Sequence, residues 1–139
     1  MTRKIVVVGW GPAAHRFVTG LLSGGGDGVD ADIAVTVYAA DGAVAHDRDA
    51  LPGVLAEGAA LASAALPAID DPRLEVRAGV RVTAVDRMHR VVHATDHRVQ
   101  HYDALVLATG ANPVLPPIRG LRAADGRSLM RGVHPAHSA

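Results

Sequence analysis

The sequence of 139 residues contains no cysteine, and only 3% of its residues are aromatic. Without thiols the chain can form neither a dithiol redox pair nor a thiolate or iron–sulfur metal site, so any redox function would require a bound cofactor. No apolar run approaches the roughly 18 residues that a membrane-spanning helix needs. The apolar run after the first basic residues is also too short for a signal peptide, and we therefore expect a cytoplasmic location.

An excess of charge of either sign is also missing, because 14 lysine and arginine residues balance 14 aspartate and glutamate residues. Since the chain has no basic block with interleaved aromatic side chains, we expect neither a nucleic-acid partner nor a membrane partner. A small ligand or a local anion site fits this composition better. With 49% hydrophobic residues, the chain has the size and composition of one globular domain with one core.

The first part of the sequence predicts one βαβ unit. Residues 4–8 form a short β-branched run bounded by glycine, which is typical of a strand buried on both faces of a parallel sheet. A loop rich in glycine and aspartate at 23–32 precedes a second β-rich run at 33–39. Between them, apolar residues recur every four positions and predict a helix whose apolar face consists of Ala13, Ala14, Phe17, Val18, Leu21 and Leu22.

The turn between that strand and that helix reads G-x-G-x-x-A, from Gly9 through Gly11 to Ala14. Gly9 permits a sharp turn, Gly11 lets phosphates approach the backbone, and the small Ala14 lets the helix pack closely on the strand. Pro12 and Ala13 begin the helix, whose unpaired N–H groups and positive dipole end point into the turn. The motif predicts a pyrophosphate site, and the alternative is a plain βα turn tightened by glycine.

A dinucleotide-binding turn of this kind is completed by an acidic residue at the end of the second strand, which accepts hydrogen bonds from the adenosine ribose. Asp30 and Asp32 have nearly the usual spacing from the glycines, but they precede the strand and so cannot lie at its carboxyl end. Ala40 stands there instead, and the first carboxylate is Asp41. If Asp41 cannot reach the ribose, the lost charged hydrogen bond of roughly 1.5–3 kcal/mol weakens binding about 10- to 150-fold.

The rest of the chain predicts one helix and several short strands. The segment 51–69, rich in alanine and leucine, predicts a helix that is ended by Pro67. Five β-rich segments follow, of which the second to the fourth predict an antiparallel meander and the last a buried strand; they are 73–76, 80–86, 90–95, 98–101 and 104–109. Three prolines within 112–120 predict an extended exit without a helix.

Five stretches together resemble the N-terminal FAD-binding segment of the pyridine nucleotide-disulfide oxidoreductase superfamily. They are KIVVVGWGPAAHRFV, AVTVYAADG, AHDRDAL, VRAGVRVTAVDRMHRVV and YDALVLATGANPVLPPIRG, and the last is the most specific. The likeness is strongest to the nitrite reductase large subunit and to the rubredoxin and ferredoxin reductases. It implies an α/β fold, namely a Rossmann-like FAD-binding domain of the three-layer ββα type at residues 1–121, with a flexible tail at 122–139.

The resemblance also implies roles for individual residues. The glycine motif would form the FAD pyrophosphate turn, Arg48 would face the cofactor, and Val82 would meet the adenine through its backbone. In such enzymes NAD(P)H delivers hydride to the flavin, which passes electrons on. The cofactor-binding residues implied in this way are Gly9, Gly11, Pro12, Ala13, Ala14, Ala40, Asp41, Arg48, Val82, Ala108, Thr109 and Gly110.

The sequence departs from the family pattern at several positions. Besides Ala40, His46 replaces a tyrosine, and Pro52 and Gly53 replace a frequent serine–lysine pair. The sequence has no second glycine fingerprint for NAD(P)H and no later Gly-Asp box. The resemblance therefore implies an FAD-binding domain that works with a partner subunit, a second copy or a lost remainder. The alternative is a non-catalytic, degenerate module that stabilises a partner protein.

Histidines suggest a second kind of site. His93, His97 and His101 recur every fourth residue, which on a helix would place three imidazoles on one face and favour a metal site. Because this segment predicts a hairpin, we expect solvated histidines and no metal site. His134 and His137 lie in the predicted tail and are not expected to be ligands.

Three further side chains allow more than one interpretation. We expect Trp10 to pack on a neighbour rather than to shield the phosphates, and we expect His15 to lie exposed on the polar side of the first helix. Arg48 could meet an anionic ligand, or it could form a surface ion pair with Asp47 or Asp49. Only the family resemblance favours the ligand.

Overall fold

The computed structural model describes residues 1–24, 32–58, 60–111, 116–122 and 124. The regular elements of this part are β1 (Arg3–Val8), α1 (Pro12–Ser23), β2 (Ile33–Ala39), α2 (Leu51–Glu57), β3 (Leu74–Ala78), β4 (Val82–Asp86), β5 (Val91–Ala94), β6 (Val99–His101) and β7 (Ala104–Leu107). Two 3₁₀ turns flank α2, at Arg48–Ala50 and Leu61–Ala64. Most of the predicted glycine-rich loop and almost all of the predicted tail lie outside the described residues.

β1 lies inside a four-stranded parallel sheet with the order β3-β2-β1-β7. Val6 of β1 stands between Thr36 of β2 and Leu105 of β7. The chain runs from β1 through α1 to β2 on one side, and β7 occupies the other side. The predicted βαβ unit is thereby confirmed, and the strand order changes direction between β1 and β7.

Both faces of this sheet are covered, so the domain has three layers. Val7 of β1 packs with Ala14 and Val18 of α1, all fully buried. Its neighbour Val6 points to the other face and packs with Tyr38 of β2 and with Val92 of β5. Because successive side chains of a strand point to opposite faces, the β-branched run of β1 buries both of its sides. The three-layer ββα architecture predicted from the sequence is confirmed.

The second β layer is the antiparallel sheet β4-β5-β6, as the closely spaced β-rich segments predicted. Arg77 of β3 joins this layer to the parallel sheet. Its Nη1 donates to the Tyr38 hydroxyl at 2.9 Å, and its Nη2 donates to Oε1 of Gln100, on β6, at 3.3 Å. The guanidinium carbon also lies 5.3 Å from the centre of the Tyr38 ring, within the range of a cation–π contact.

The predicted helix over 51–69 is wrong in its extent. α2 ends at Glu57 because Gly58 adopts a left-handed conformation with φ of 65°, which is a common helix stop. The chain then forms the 3₁₀ turn Leu61–Ala64, and Ala65 bridges to His46. Only Leu51 of α2 is buried. The high alanine and leucine content of the segment 51–69 therefore does not produce a buried helical face. No helix in the described segments has the length and apolarity needed to cross a membrane.

Two smaller predictions about burial are also wrong. In the predicted apolar face of α1, Ala13 is exposed and Phe17 keeps 39% of its surface exposed, because only one narrow stripe of the helix meets the sheet. The predicted buried strand β7 is only partly buried, and Leu107 is 65% exposed. Within the described residues β7 pairs with β1 alone and is therefore an edge strand.

Candidate functional site

A cleft of about 760 Å³ lies at the carboxyl ends of β1, β2 and β7. Its volume is within the range of small-molecule sites. It is also where open α/β sheets bind ligands, namely at the point where the strand order changes direction. The residues that line it are Val8, Gly9, Trp10, Gly11, Tyr38, Ala39, Ala40, Asp41, Gly42, Val44, His46, Arg48, Leu51, Leu61, Arg81, Val82, Ala108, Thr109 and Ala111.

Gly9 forms the floor of the cleft and has no room for a side chain. Its φ is +104°, and a Cβ atom built on it would lie 2.2 Å from the carbonyl oxygen of Ala108. The Gly9 N–H donates to the Tyr38 carbonyl at 3.0 Å, and the Ala108 N–H donates to the Val8 carbonyl at 2.9 Å. The turn therefore lies in backbone contact with the strands on both sides, which only glycine allows.

The first turn of α1 opens into the same cleft. Gly11 is the N-cap residue and provides no side-chain cap, and Pro12 is the first helical residue. The His15 N–H donates to the Gly11 carbonyl at 3.0 Å, whereas the N–H groups of the preceding helical residues have no partner inside the helix. A Cβ atom on Gly11 would have no atom within 4 Å, so the space beside Gly11 at the start of α1 is open. Such a helix start binds anions.

The end of β2 supplies the adenosine side of the predicted site. Ala40 lines the cleft where the family pattern has an acid, and the exposed carboxylate of Asp41 lines it one position later. Asp32 lies at the opposite end of the sheet, where it forms an ion pair with the Met1 amine at 2.9 Å and accepts a hydrogen bond from Thr2. The prediction that Asp32 does not lie at the carboxyl end of β2 is thus confirmed, while Asp30 lies outside the described residues.

Arg48 reaches the cleft from the 3₁₀ turn after β2. Its Nη1 and Nη2 both lie 3.7 Å from the position of a Cβ atom built on Gly110. Among the described residues Arg48 forms no ion pair, and the carboxylate of Asp47 accepts instead from the Asp49 N–H at 3.0 Å. The structure therefore favours the interpretation in which Arg48 is available to an anionic ligand.

Trp10 packs as predicted, whereas the prediction of an exposed His15 is wrong. The Trp10 Nε1–H donates to the Ala43 carbonyl at 2.9 Å, and its ring centre lies 5.6 Å from that of His15. Nε2 of the partly buried His15 lies 2.7 Å from the Pro67 carbonyl oxygen. The cause is the extended chain after the second 3₁₀ turn, which the sequence predicted as helix and which covers this side of α1. Both rings line a second cavity of about 150 Å³.

The cleft contains most of the predicted cofactor-binding residues. Ala14 is fully buried beneath the turn and lets α1 approach the sheet, which is the packing role predicted for it. Gly110 does not line the cleft itself but lies next to the Arg48 guanidinium. Sequence reasoning missed Leu51, Leu61 and Arg81, although Arg81 directly precedes Val82 and could have been found from that adjacency. The roles of all these residues in binding remain predictions.

The histidines predicted to be solvated are spread over a hairpin. His93 pairs with Val99 in the β5-β6 ladder, His97 lies in the turn with φ of 61°, and His101 ends β6. In the part of the chain that the structure describes, no group of three histidine, aspartate or glutamate side chains could hold a metal ion. His134 and His137 lie outside the described residues.

Comparison with known proteins identifies the family. The model of the pyridine nucleotide-disulphide oxidoreductase family matches residues 3–136. The chain belongs to this family. The nitrite reductase (NADH) large subunit of Escherichia coli K12 is 30% identical over 119 residues, which are 84% of this chain and 14% of that protein. The nitric oxide reductase FlRd-NAD(+) reductase of Klebsiella pneumoniae 342 is 30% identical over 124 residues, which are 86% of this chain and 31% of that protein.

Solved structures share the fold of this chain. Putidaredoxin reductase in its covalent complex with putidaredoxin matches with a TM-score of 0.68 and 27% identity, over 89% of this chain and 29% of that one. The NAD-dependent persulfide reductase of A. fulgidus matches with a TM-score of 0.71 and 26% identity, over 87% and 24%. The chain thus spans less than a third of each of these relatives. Members of the family are FAD-dependent NAD(P)H oxidoreductases. The open space at Gly11, the uncapped start of α1 and the adjoining cleft fit the pyrophosphate of FAD.

Proposed function

We propose that this chain is the FAD-binding part of an FAD-dependent NAD(P)H oxidoreductase and that residues 1–121 form its binding domain. The observation that carries this proposal is the turn at Gly9 and Gly11, which presents the uncapped start of α1 to a cleft of about 760 Å³. When bound, FAD supplies the chemistry of accepting hydride and passing electrons on. The protein supplies the binding and the orientation.

Each wall of the cleft has a separate task in this proposal. The N–H groups of Ala13 and Ala14 bind the pyrophosphate, with the positive end of the α1 dipole behind them. The guanidinium of Arg48 adds a full positive charge beside them. Asp41 lies at the ribose end, and Val82 contacts the adenine through its backbone. Thr109 and Ala108 line the opposite wall.

The rest of the reductase belongs to other polypeptide segments. NAD(P)H reaches the flavin through a partner subunit, a second copy or further sequence, since this chain spans less than a third of its relatives. Among the described strands β7 lies at the edge of its sheet and its Leu107 is 65% exposed, which supports contact with a further segment or a partner. We place this assembly in the cytoplasm.

Titration with FAD tests the proposal directly. Trp10 is the only tryptophan of the chain and lines the cleft, so bound flavin should quench its fluorescence. We expect micromolar binding by calorimetry, efficient competition by ADP and weaker competition by AMP, because AMP lacks the second phosphate. Absence of binding at millimolar FAD would overturn the proposal and favour the degenerate, partner-stabilising module.

A matched pair of glycine variants separates binding from folding. Gly11→Ala places a methyl group in the open space that the pyrophosphate would occupy, and we expect FAD affinity to fall at least about tenfold. Gly20→Ala places the same methyl group on the exposed side of α1, where nothing lies within 4 Å. We expect it to keep the wild-type affinity and to stabilise the helix by about 0.5–1 kcal/mol.

A further inference from the structure

The Gly9 amide, at the floor of the cleft, is held by the backbone of Tyr38. The Gly9 N–H donates to the Tyr38 carbonyl at 3.0 Å, and Tyr38 is the residue of β2 that pairs with Val8 at the end of β1. On its other side the same turn is held where the Ala108 N–H donates to the Val8 carbonyl at 2.9 Å. The Tyr38 carbonyl is therefore one of two supports of the glycine turn.

The Tyr38 side chain is anchored on the face of the parallel sheet that meets the antiparallel sheet. Tyr38 is only 1% exposed, and it packs with Val6 and Val92. Its hydroxyl accepts a hydrogen bond from Nη1 of Arg77 at 2.9 Å, and Arg77 is its direct neighbour on β3. Because the side chain is held both along its ring and at its tip, it restrains the backbone from which it extends.

The Arg77 guanidinium is held in turn by partners in both β layers. Its Nε donates to Oε1 of Glu75 at 3.0 Å, and its Nη2 donates to Oε1 of Gln100, on β6, at 3.3 Å. All three of its nitrogens are thus hydrogen-bonded, and only 14% of the side chain is exposed. A guanidinium with a complete set of partners is rigid. A continuous series of contacts therefore leads from Gln100 through Arg77 and Tyr38 to the Gly9 amide.

We propose that Tyr38 and Arg77 are positioning residues that hold the glycine turn in its pyrophosphate-binding geometry, through the Tyr38 carbonyl and without touching the ligand. The inference rests on the proposed function, because it takes the turn as a pyrophosphate site. Residues that do not contact a ligand can change its affinity through packed and hydrogen-bonded groups that lead to the site. Without the Arg77 anchor the Tyr38 carbonyl and the Gly9 amide are less restrained, and ligand binding must then order them.

Hydrogen exchange of the protein without ligand tests the anchoring. In Tyr38→Phe the Gly9 amide should exchange about 3- to 10-fold faster, while the Ala108 amide, on the other support of the turn, should keep its rate. Tyr102→Phe is the matched control, because it removes the only other tyrosine hydroxyl from the same apolar cluster, where it has no hydrogen bond to the described residues. It should change neither rate. Equal acceleration of both amides in Tyr38→Phe would show a general loss of stability and would overturn the proposal, as would unchanged rates.

Affinities measured on the folded variants connect the anchor to the ligand. Tyr38→Phe should weaken ADP binding about 3- to 10-fold and leave the affinity for adenosine unchanged, because adenosine has no phosphate to meet the turn. Arg77→Met should act in the same way, and the double variant should lose about as much as either single variant, since the two side chains act as one unit. Losses that add, or equal losses for ADP and adenosine, would overturn the proposal. Wild-type ADP affinity in Tyr38→Phe rejects this inference alone, while failure of the wild type to bind FAD and ADP rejects the proposed function too.

Discussion

The guanidinium of Arg48 lies next to Gly110, and its Nη1 and Nη2 atoms are both 3.7 Å from the point where a Cβ atom built on Gly110 would lie. This contact joins the segment after β2 to the segment after β7, across the carboxyl end of β1, which lies between those two strands. It therefore places a permanent positive charge in the cleft that Gly9 and Gly11 also line. The guanidinium and the positive end of the helix dipole both attract an anionic ligand.

Removing this charge should weaken cofactor binding without weakening the fold. For Arg48→Met we expect FAD affinity to fall about 10- to 100-fold, the effect of one charged hydrogen bond. The free energy of unfolding should stay within about 0.5 kcal/mol, because Arg48 is exposed and has no ion pair among the described residues. Calorimetric titration and urea unfolding measure the two effects. Arg87→Met is the control, because it removes an exposed arginine from the turn between β4 and β5, outside the cleft lining. Wild-type FAD affinity in Arg48→Met would contradict the assignment.

Gly9 and Gly11 should lose very different amounts of stability when the same methyl group is added. In Gly9→Ala the Cβ atom would meet the Ala108 carbonyl oxygen at 2.2 Å and would need a φ of +104°, so we expect a loss of about 3 kcal/mol in the free energy of unfolding. In Gly11→Ala the backbone is extended and the space is open, so the loss should stay below about 1 kcal/mol. Urea unfolding measures both. Similar losses in the two variants would show that the turn is not held as described.

The sequence predicted those parts of the fold whose causes are local. The β-branched run before Gly9, the proline at the start of α1 and the regular spacing of the later strands each determine a short segment. The family resemblance then predicted that Arg48 and the segment after β7 lie at the same site, which no local pattern indicates. These elements form the sheet order and the three layers that the structure shows.

The failures have two physical origins, namely a local helix stop that the prediction overlooked and contacts between distant segments. The segment 51–69 has a helical composition, but Gly58 stops α2 and Ala65 pairs with His46. The contact of His15 with the Pro67 carbonyl follows from that extended chain and could not be predicted once a helix was assumed.

The ion pair of Asp71 and Arg73 should make stability depend on pH in the acid range. The Arg73 side chain donates to both carboxylate oxygens, at 2.9 and 2.7 Å, and also to the Leu22 carbonyl at the end of α1. These hydrogen bonds lower the pKa of Asp71 from its ordinary 3.8 to about 2. Because the folded state has the lower pKa, the stabilisation is complete above the unfolded pKa and disappears as the pH falls through the folded pKa.

We therefore expect Asp71→Asn to melt at a lower temperature than the wild type at pH 7. The difference should shrink as the pH falls from about 4 towards 2, because the Asp71 carboxylate of the unfolded wild type is protonated first, while that of the folded protein stays ionised until the pH approaches its lower pKa of about 2. Thermal unfolding at a series of pH values measures this effect. Asp70→Asn changes the exposed neighbouring carboxylate and should not show the same convergence. A difference that stays constant down to pH 2 would contradict the role of the ion pair.

The Trp10 indole should position the wall of the cleft that carries Arg48. Its Nε1–H bond to the Ala43 carbonyl holds the segment after β2, which is further tied down where the Asp47 N–H donates to the Ala64 carbonyl at 2.7 Å. Trp10→Phe keeps an aromatic ring but loses the donor, so we expect a loss of about 1 kcal/mol in the free energy of unfolding.

The same substitution should speed hydrogen exchange at the Asp47 amide and lower FAD affinity, because the segment that orients Arg48 becomes less restrained. Since this variant has no tryptophan, binding is followed by flavin fluorescence and calorimetry. Phe17→Leu changes an exposed aromatic residue of α1 and should alter neither the exchange at Asp47 nor the affinity. If Trp10→Phe lowers stability but leaves both readouts unchanged, the indole only packs. Slower exchange at Asp47 would show that the hydrogen bond strains this segment.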